Sequence, residues 1–421
     1  MFFKLLKDAL KVKNVRNKIL FTIFIIFVFR VGTHVTVPGI NAESLKQLSD
    51  LPFLNMLNLV SGNAMNNFSI FSMGVSPYIT ASIIVQLLQM DIYPKFVEWG
   101  KQGEVGRRKL NQATRYITLV LAFVQSIGIT ASFNTLSSIS LVKTPNVSTY
   151  LLIGTILTAG SIIVTWLGEQ ITDKGFGNGV SMIIFSGIIA SIPKMFSTIY
   201  ENFFVNVRSG ELTRSYIIVA LLIVVGLAIV FFTTFVQQAE YQIPIQYTKL
   251  VQGAPTSSYL PLKVNPAGVI PVIFASSITT IPSTILPFFS KVTWLSHLQG
   301  LLSYNTPSGM IIYAILIILF SFFYTFVQVN PEKTAENLQK NGSYIPSVRP
   351  GRETEKYMSS LLKRLATIGA VFLAFISLAP IAAQQFMHLT SSIALGGTSL
   401  LILISTGIEG MKQLEGYLLK R

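Results

Sequence analysis

Residues 215–236 read SYIIVALLIVVGLAIVFFTTFV, an apolar run without a single Asp, Glu, Lys or Arg. A helix of that length rises about 33 Å, enough to cross the roughly 30 Å hydrocarbon core of a bilayer. Nine further apolar segments flank it: 19–37, 75–92, 115–133, 150–168, 179–199, 268–289, 309–329, 362–383 and 391–408. Together they predict ten membrane-spanning helices and leave no room for a sizeable soluble domain. Composition agrees. The 421 residues are 51% hydrophobic and only 12% charged, against about 25% charged in soluble domains; mean hydropathy is +0.59. A soluble globular protein, a disordered chain and a fibrous repeat are excluded.

Charge placement orients the spans. Lys4, Lys7, Lys11, Lys13, Arg16 and Lys18 precede the first segment. They resemble a signal-peptide leader, but the apolar stretch is long, contains Arg30 and ends in Val37-Pro38-Gly39 without a small-residue cleavage site. It reads as an uncleaved first span. With the N-terminus in the cytoplasm, ten spans return the C-terminus there. Cytoplasmic segments then hold 25 of the 32 Lys and Arg, external segments six, and Arg30 lies within a span. This positive-inside bias accounts for most of the net charge of +15 without invoking nucleic acid. No direct DNA binding is expected; the basic loops suit anionic lipid or a ribosome.

Several chemistries are absent. With no cysteine, the chain forms no disulfide, thiolate nucleophile or Cys-ligated metal site. His34, His297 and His388 are far apart, with no carboxylate at ligand spacing, so neither a metal nor a cofactor is expected. Arg30 is nearly the only charge inside a span, while Arg115 and Glu169 sit at span ends, where side chains snorkel. Ion-coupled transporters and proton pumps need intramembrane ionisable groups, which are costly enough to mark function. No paired acids, Ser–His or Ser–Lys set, or HExxH points to hydrolysis. An enzyme is not expected.

Some segments break the pattern. In 57–77, LNLVSGNAMNNFSIFSMGVSP, the polar run Ser61-Gly62-Asn63-Ala64-Met65-Asn66-Asn67 parts two apolar stretches. Such a run cannot span lipid, because its amides need water or protein partners. A half-helix folded into a water-lined cavity and an external amphipathic loop both fit it. The seventh span carries Pro266, Pro271, Pro282 and Pro287, with Ser276, Ser277, Thr279 and Thr280 between them. Each proline removes a helix hydrogen bond, giving either a mobile element or a static kink. Gly175-Phe-Gly-Asn-Gly179 lacks the strand and the Lys-Ser/Thr of a phosphate loop and reads as a tight inter-helix turn. Three long cytoplasmic loops, 93–114, 237–267 and 330–361, are candidates for function.

The chain resembles the SecY/Sec61 alpha family of protein-conducting channel subunits of the Sec translocon. The resemblance rests on stretches in family order along essentially the whole chain. They include Phe29-Arg30-Val-Gly32 with Val37-Pro38-Gly39-Ile40, Gly74-Val-Ser-Pro77-Tyr78-Ile79, and Gly106-Arg107-Arg108-Lys109. Trp166-Leu-Gly-Glu169-Gln170, Gly177-Asn178-Gly179 and Pro261-Leu-Lys263-Val-Asn265 follow, then Val348-Arg349-Pro350-Gly351 and Gly396-Gly-Thr-Ser-Leu400.

The resemblance implies an all-α polytopic membrane protein. Its ten helices form two inverted, pseudo-symmetric five-helix halves, residues 1–200 and 201–421, around a central pore. It implies a plug over about 61–71, with Ser61, Gly62, Asn63, Ala64, Met65, Asn66, Asn67 and Phe68. A constriction ring maps to Val75, Ile79, Val180, Ile184, Ile273 and Ile402. A lateral gate formed by spans 2, 3, 7 and 8 carries Thr80, Gln86, Gln125 and Ser277. Physics supports the ring: Val75 and Ile79, like Val180 and Ile184, are four apart and share a helix face, and apolar constrictions resist wetting. The implied partners are SecE-like and SecG-like small membrane subunits, the SecA ATPase, the ribosome, signal peptides, unfolded preproteins and membrane lipid. Arg107, Arg108, Lys249 and Arg349 are the expected cytoplasmic contacts, in a bacterial plasma membrane with both termini inside. The chain departs from the family at 237–267, usually richly basic: Tyr241-Gln242 stand where an arginine pair is usual, and only Lys249 and Lys263 are basic.

The expected function is a passive, gated conduit for unfolded polypeptide with a side exit to lipid, its energy supplied by a partner because no nucleotide motif is present. A small-solute secondary transporter, also all-helical with broken helices, is the main alternative. A membrane-embedded transferase is another, but Glu332, Glu336, Glu353 and Glu355 are interleaved with basic residues and read as a solvated loop face.

Overall fold

The apolar segments fold as helices, and packing rather than hydropathy sets where each one ends. The computed structural model describes residues 2–41, 58, 61–62, 64–90, 92–136, 141–205, 212–247, 257–285, 301, 306–387 and 396–419. An amphipathic α1 (Phe2–Lys11) precedes α2 (Lys13–Gly32). Next come α3 (Ser76–Leu88), α4 (Pro94–Lys101), α5 (Gly103–Leu136), α6 (Val147–Lys174) and α7 (Gly179–Tyr200). After α8 (Leu212–Gln238), strands β1 (Glu240–Tyr247) and β2 (Ser257–Lys263) lead to α9 (Ile270–Ile285) and α10 (Pro307–Gln328). The last elements are α11 (Pro331–Lys340), β3 (Ser343–Tyr344), α12 (Arg352–Met387) and α13 (Gly396–Leu419).

Several boundaries correct the sequence reading. The first span stops at Gly32 rather than 37. A Cβ at Gly32 would lie 1.9 Å from the Phe71 ring, so the helix ends where a second segment packs on it. The chain then turns, and Ile70 N donates to Val35 O at 2.9 Å and Val37 N to Phe68 O at 3.1 Å. The second span, α3, has only 13 residues. It rises about 20 Å, short of a hydrocarbon core; residues 68–75 reach it through buried turns. The loop 93–114 is mostly helix. Pro94 opens α4, Gly103 takes φ +64 between the helices, and a Cβ at Gly106 would lie 1.8 Å from Trp99 O. Of the seventh-span prolines, Pro266 precedes α9, Pro271 sits in its first turn and Pro282 lies within it; Pro287 is outside the described residues. The tenth span runs on to Leu419 rather than ending at 408.

Not all of the chain is helical. In the 237–267 loop, β1 pairs antiparallel with β2 and, on its other side, with β3, giving the order β2-β1-β3. Ile243, opposite Leu260, is buried with Leu262 against Ile345, Met358 and Leu362, so the sheet rests on the start of α12. Lys412 Nζ on α13 reaches Glu240 Oε1 at the start of β1 at 2.5 Å.

The 175–179 segment is the tight turn its sequence suggests. Gly177 has φ +84, Asn178 Oδ1 caps α7 by accepting from Ser181 N at 3.3 Å, and Gly179 N donates to Thr172 Oγ1 at 2.9 Å. A Cβ at Gly179 would lie 1.7 Å from Gly168 O, a backbone atom that cannot move aside. Gly179→Ala is expected to destabilise the folded protein by about 1–3 kcal/mol through overpacking. Gly226→Ala, with no atom within 4 Å of the new methyl, is the neutral control. Thermal unfolding of both variants in detergent checks this; equal melting temperatures would refute it.

Candidate functional site

The site begins where α2 ends. Phe29 is fully buried and stacks on Phe71, ring centroids 5.9 Å apart and 6° from parallel. Beside it, Arg30 Nη1 donates to Gly62 O at 2.9 Å, and Nη2 donates to Ser186 O on α7. Asn58 Nδ2 donates to Asn66 Oδ1 at 2.6 Å, and Asn66 N donates to Asn58 Oδ1 at 3.1 Å, closing a reciprocal pair. Ala64–Asn67 form one 3-10 turn. Phe68, at φ +41, follows it and sets its ring edge-on to Phe133 at 6.3 Å. A positive φ is strained for a bulky residue, and its burial holds it there. Ser161 Oγ on α6 donates to Gly74 O at 3.0 Å. A Cβ at Gly160 would lie 1.8 Å from Ile70 O, so α6 and this segment touch backbone to backbone.

The polar-broken stretch therefore folds into the bundle rather than forming an external loop. Ser61, Gly62, Ala64, Met65 and Phe68 are buried, Asn66 is half-buried and Asn67 is exposed. Its amides find partners inside, as buried backbone requires: Ser69 N donates to Ala64 O at 3.2 Å, and Ser72 Oγ donates to the same oxygen at 3.1 Å. Asn63 lies outside the described residues.

Against this segment lies a continuous apolar cluster. It holds Val75, Ile79, Ile184, Ile273 and Ile402, all buried, with Val180 packed against it. These six positions come from α3 and its N-cap, α7, α9 and α13. Ala64 and Phe71 of the buried stretch belong to the same cluster, as does Phe29. None of the six side chains carries a charge or a hydrogen-bonding group, so the cluster is apolar at all six positions. Among the described residues, no three metal-ligating side chains come together; His297 and His388 lie outside them.

The gate candidates sit on neighbouring helices. α9 packs against α3, α5 and α10, and α3 against α5. Thr80 and Gln86 are on α3, Gln125 on α5 and Ser277 on α9. Thr80 Oγ1 donates to Ser76 O at 3.2 Å and Gln86 Nε2 to Ser82 Oγ at 3.0 Å. Gln86 Oε1 and Ser277 Oγ are buried without a hydrogen-bond partner among the described residues. None of the four bonds to another.

Arg107 and Arg108 are exposed on the first turns of α5, and Arg349 is exposed in the turn before α12. Thr354 Oγ1 donates to Arg349 O at 2.9 Å, and Ser347 and Gly351 take φ +66 and +96 on either side. Lys249 lies outside the described residues. The acids of this loop are surface groups: Glu353 pairs with Lys356 at 3.2 Å and Glu336 with Lys340 at 2.7 Å, and the hydrogen bond from Lys340 holds the Glu336 carboxyl below its ordinary pKa. At the span ends, Arg115 donates from Nε to Glu169 Oε1 at 3.0 Å and from Nη2 to Oε2 at 2.5 Å, joining α5 to α6 as a fork rather than snorkelling alone.

Arg30 is the residue the sequence signals without assigning. A charge within a span is costly enough to mark function, but its acceptors are carbonyls 32 and 156 positions away, which no local pattern reveals.

With this geometry in place, comparisons with known proteins converge. The family model for SecY matches residues 69–411. Protein translocase subunit SecY of Streptococcus sanguinis is 71% identical over 425 residues, spanning 100% of this chain and 98% of that one. The Bacillus subtilis subunit of the same name is 50% identical over 423 residues, with the same two coverages. Among solved structures, a protein-conducting channel superposes with TM-score 0.67 at 15% identity, covering 95% of this chain and 92% of that one. Sec61 in the canine ribosome–channel complex from the endoplasmic reticulum gives TM-score 0.62 at 14% identity, with the same coverages.

Proposed function

This chain belongs to the SecY family, and from that membership we propose that it works as the gated channel subunit of a bacterial Sec translocase, conducting unfolded polypeptide across the plasma membrane and releasing apolar segments sideways into lipid. The small-solute transporter reading gives way to it. The observation that carries the gating mechanism is the stretch 61–71, whose buried Ala64 and Phe71 pack into the cluster that holds Val75, Ile79, Ile184, Ile273 and Ile402. In the closed state this stretch is the plug and those side chains, with Val180, are the ring. Apolar side chains at a constriction oppose wetting and so block ions without binding a passing chain.

The gate works where α9 meets α3 and α5, between halves 1–200 and 201–421. Two buried polar atoms there, Gln86 Oε1 and Ser277 Oγ, have no hydrogen-bond partner among the described residues. Each unpaired group costs about 1–3 kcal/mol, a cost relieved when the helices part and water or a polypeptide reaches them. Nothing in the site supplies chemical energy, so the driving force comes from a partner, the SecA ATPase or the translating ribosome. SecE-like and SecG-like subunits complete the assembly, and both termini face the cytoplasm, following the positive-inside charge bias.

Arg349 is the coupling contact. It is exposed on a turn fixed by left-handed residues on both sides, so its substitution leaves the fold alone. Arg349→Glu is expected to cut post-translational export by at least tenfold at normal membrane levels of the protein. Pulse-chase of a secreted reporter checks this, and export at the wild-type rate would remove Arg349 from the role.

A further inference from the structure

We infer that Arg30 is the latch that positions the plug, reading the closed state through one arm of its guanidinium while the other stays anchored to α7. The proposal rests on the plug reading of 61–71 and adds to it the group that holds the segment in place. Arg30 donates through Nη2 to Ser186 O, an acceptor within α7, and through Nη1 to Gly62 O, an acceptor on the plug. Only the second bond is lost when the plug leaves.

The seat around Gly62 is shaped for that contact. Gly62 takes φ +65, a conformation that disfavours any side chain. A Cβ there would lie 2.9 Å from the Phe29 ring, and a Cβ at Gly187 would lie 2.3 Å from Gly62 Cα. Two glycines thus bring the plug backbone against α7, which presents the Gly62 carbonyl to a guanidinium already oriented by Ser186. The fork geometry matters: a planar guanidinium reaches two carbonyls at fixed angles, whereas an ammonium is a point charge on a flexible stem. Arg30 is half-buried, and a charged donor that loses its acceptor at such a site has to find another. Plug departure therefore requires water, or a carbonyl of the entering polypeptide, to take the place of Gly62 O. This makes opening and hydration a single event.

The test compares resting ion conductance of the complete channel complex in planar bilayers. Wild type, Arg30→Lys and Gly62→Ala are measured, with Arg30→Lys made also in a background lacking residues 61–70. Arg30→Lys is expected to raise resting conductance about tenfold in the full-length chain and to change it by less than twofold in the deleted one. Gly62→Ala, which disturbs the seat from the plug side with Arg30 intact, is expected to reproduce the leak; it decides the matter if Arg30→Lys fails to fold. If the deletion leaks but neither substitution does, the latch is refuted and the plug reading stands. If Arg30→Lys leaks equally with and without 61–70, Arg30 is a wall residue and the latch is likewise refuted. If the deletion itself does not leak, both fall.

Discussion

Removing residues 61–70 is expected to yield a channel that inserts and supports export but conducts ions at rest, with open probability at least tenfold above wild type. The packing explains why the deletion is tolerated. The segment leaves from and returns to the same side chain: a Cβ at Gly62 would lie 2.9 Å from the Phe29 ring, and Phe71 stacks on that ring at 5.9 Å. Excising the stretch between them removes a loop whose ends are already close. The surrounding helices keep their own contacts, α2 with α6 and α7, and α6 with α5 and α7. What is lost is Met65 and Phe68 from the cluster around Phe133 and Ile153, and Ala64 from the cluster holding the ring. Burial of two large apolar side chains amounts to about 3–6 kcal/mol, so reduced thermal stability accompanies the leak. Single-channel recording of the purified complex checks the conductance, and membrane levels check insertion. Loss of the protein from the membrane, with no leak in what survives, would make the segment a structural element instead of a plug.

Much of this architecture was legible in the chain because a bilayer leaves few options for backbone polar groups. Long uncharged runs such as 215–236 must be helical, and α8 follows that stretch closely. Span ends were less legible, because tertiary contacts set them: Gly32 ends α2 where Phe71 arrives from 39 positions away. The β1–β2 hairpin left a trace in the alternation of Ile243 and Ile245 and of Leu260 and Leu262. Pro244 and Pro261 obscured it, since proline ordinarily argues against a strand; here they pair with Tyr259 and Gln242. The helical start of α5 was hidden by its charges. Glu104, Arg107, Arg108 and Lys109 suggest a loop, yet they form the exposed face of an amphipathic helix extending beyond the span. Within the site, the resemblance named six apolar positions, two pairs of them at helical spacing, and the structure gathers all six in one cluster. The double hydrogen bond of Arg30 was not legible, since backbone carbonyls carry no sequence signature.

Ile402→Asn is expected to loosen the closed state enough to pass preproteins with defective signal sequences. Ile402 is buried on α13 in the cluster that includes Val75, Ile79 and Ile273. The Asn side chain has as many heavy atoms as that of Ile but fills less volume, and it replaces apolar surface with a polar carboxamide. Buried without a partner, it costs roughly 1–3 kcal/mol by mutational scales. That cost falls on the closed, dry state and disappears in an open, wet one. A ligand or a mutation shifts such an equilibrium only by its differential effect on the two states. Here the differential is nearly the whole penalty, and about 1.4 kcal/mol is a tenfold change in the ratio of open to closed. On the proposed function an entering signal sequence supplies free energy that parts the gate helices, and a channel already shifted toward opening needs less of it. Ile402→Leu, which changes shape but not polarity, is expected to behave as wild type. Two measurements decide the question: secretion of a reporter with a crippled signal sequence, and resting conductance of the purified channel. A rise in both for Asn and in neither for Leu assigns Ile402 to the ring. If Asn leaves both unchanged, the side chain does not face the passage, and the assignment of α13 to the constriction fails with it.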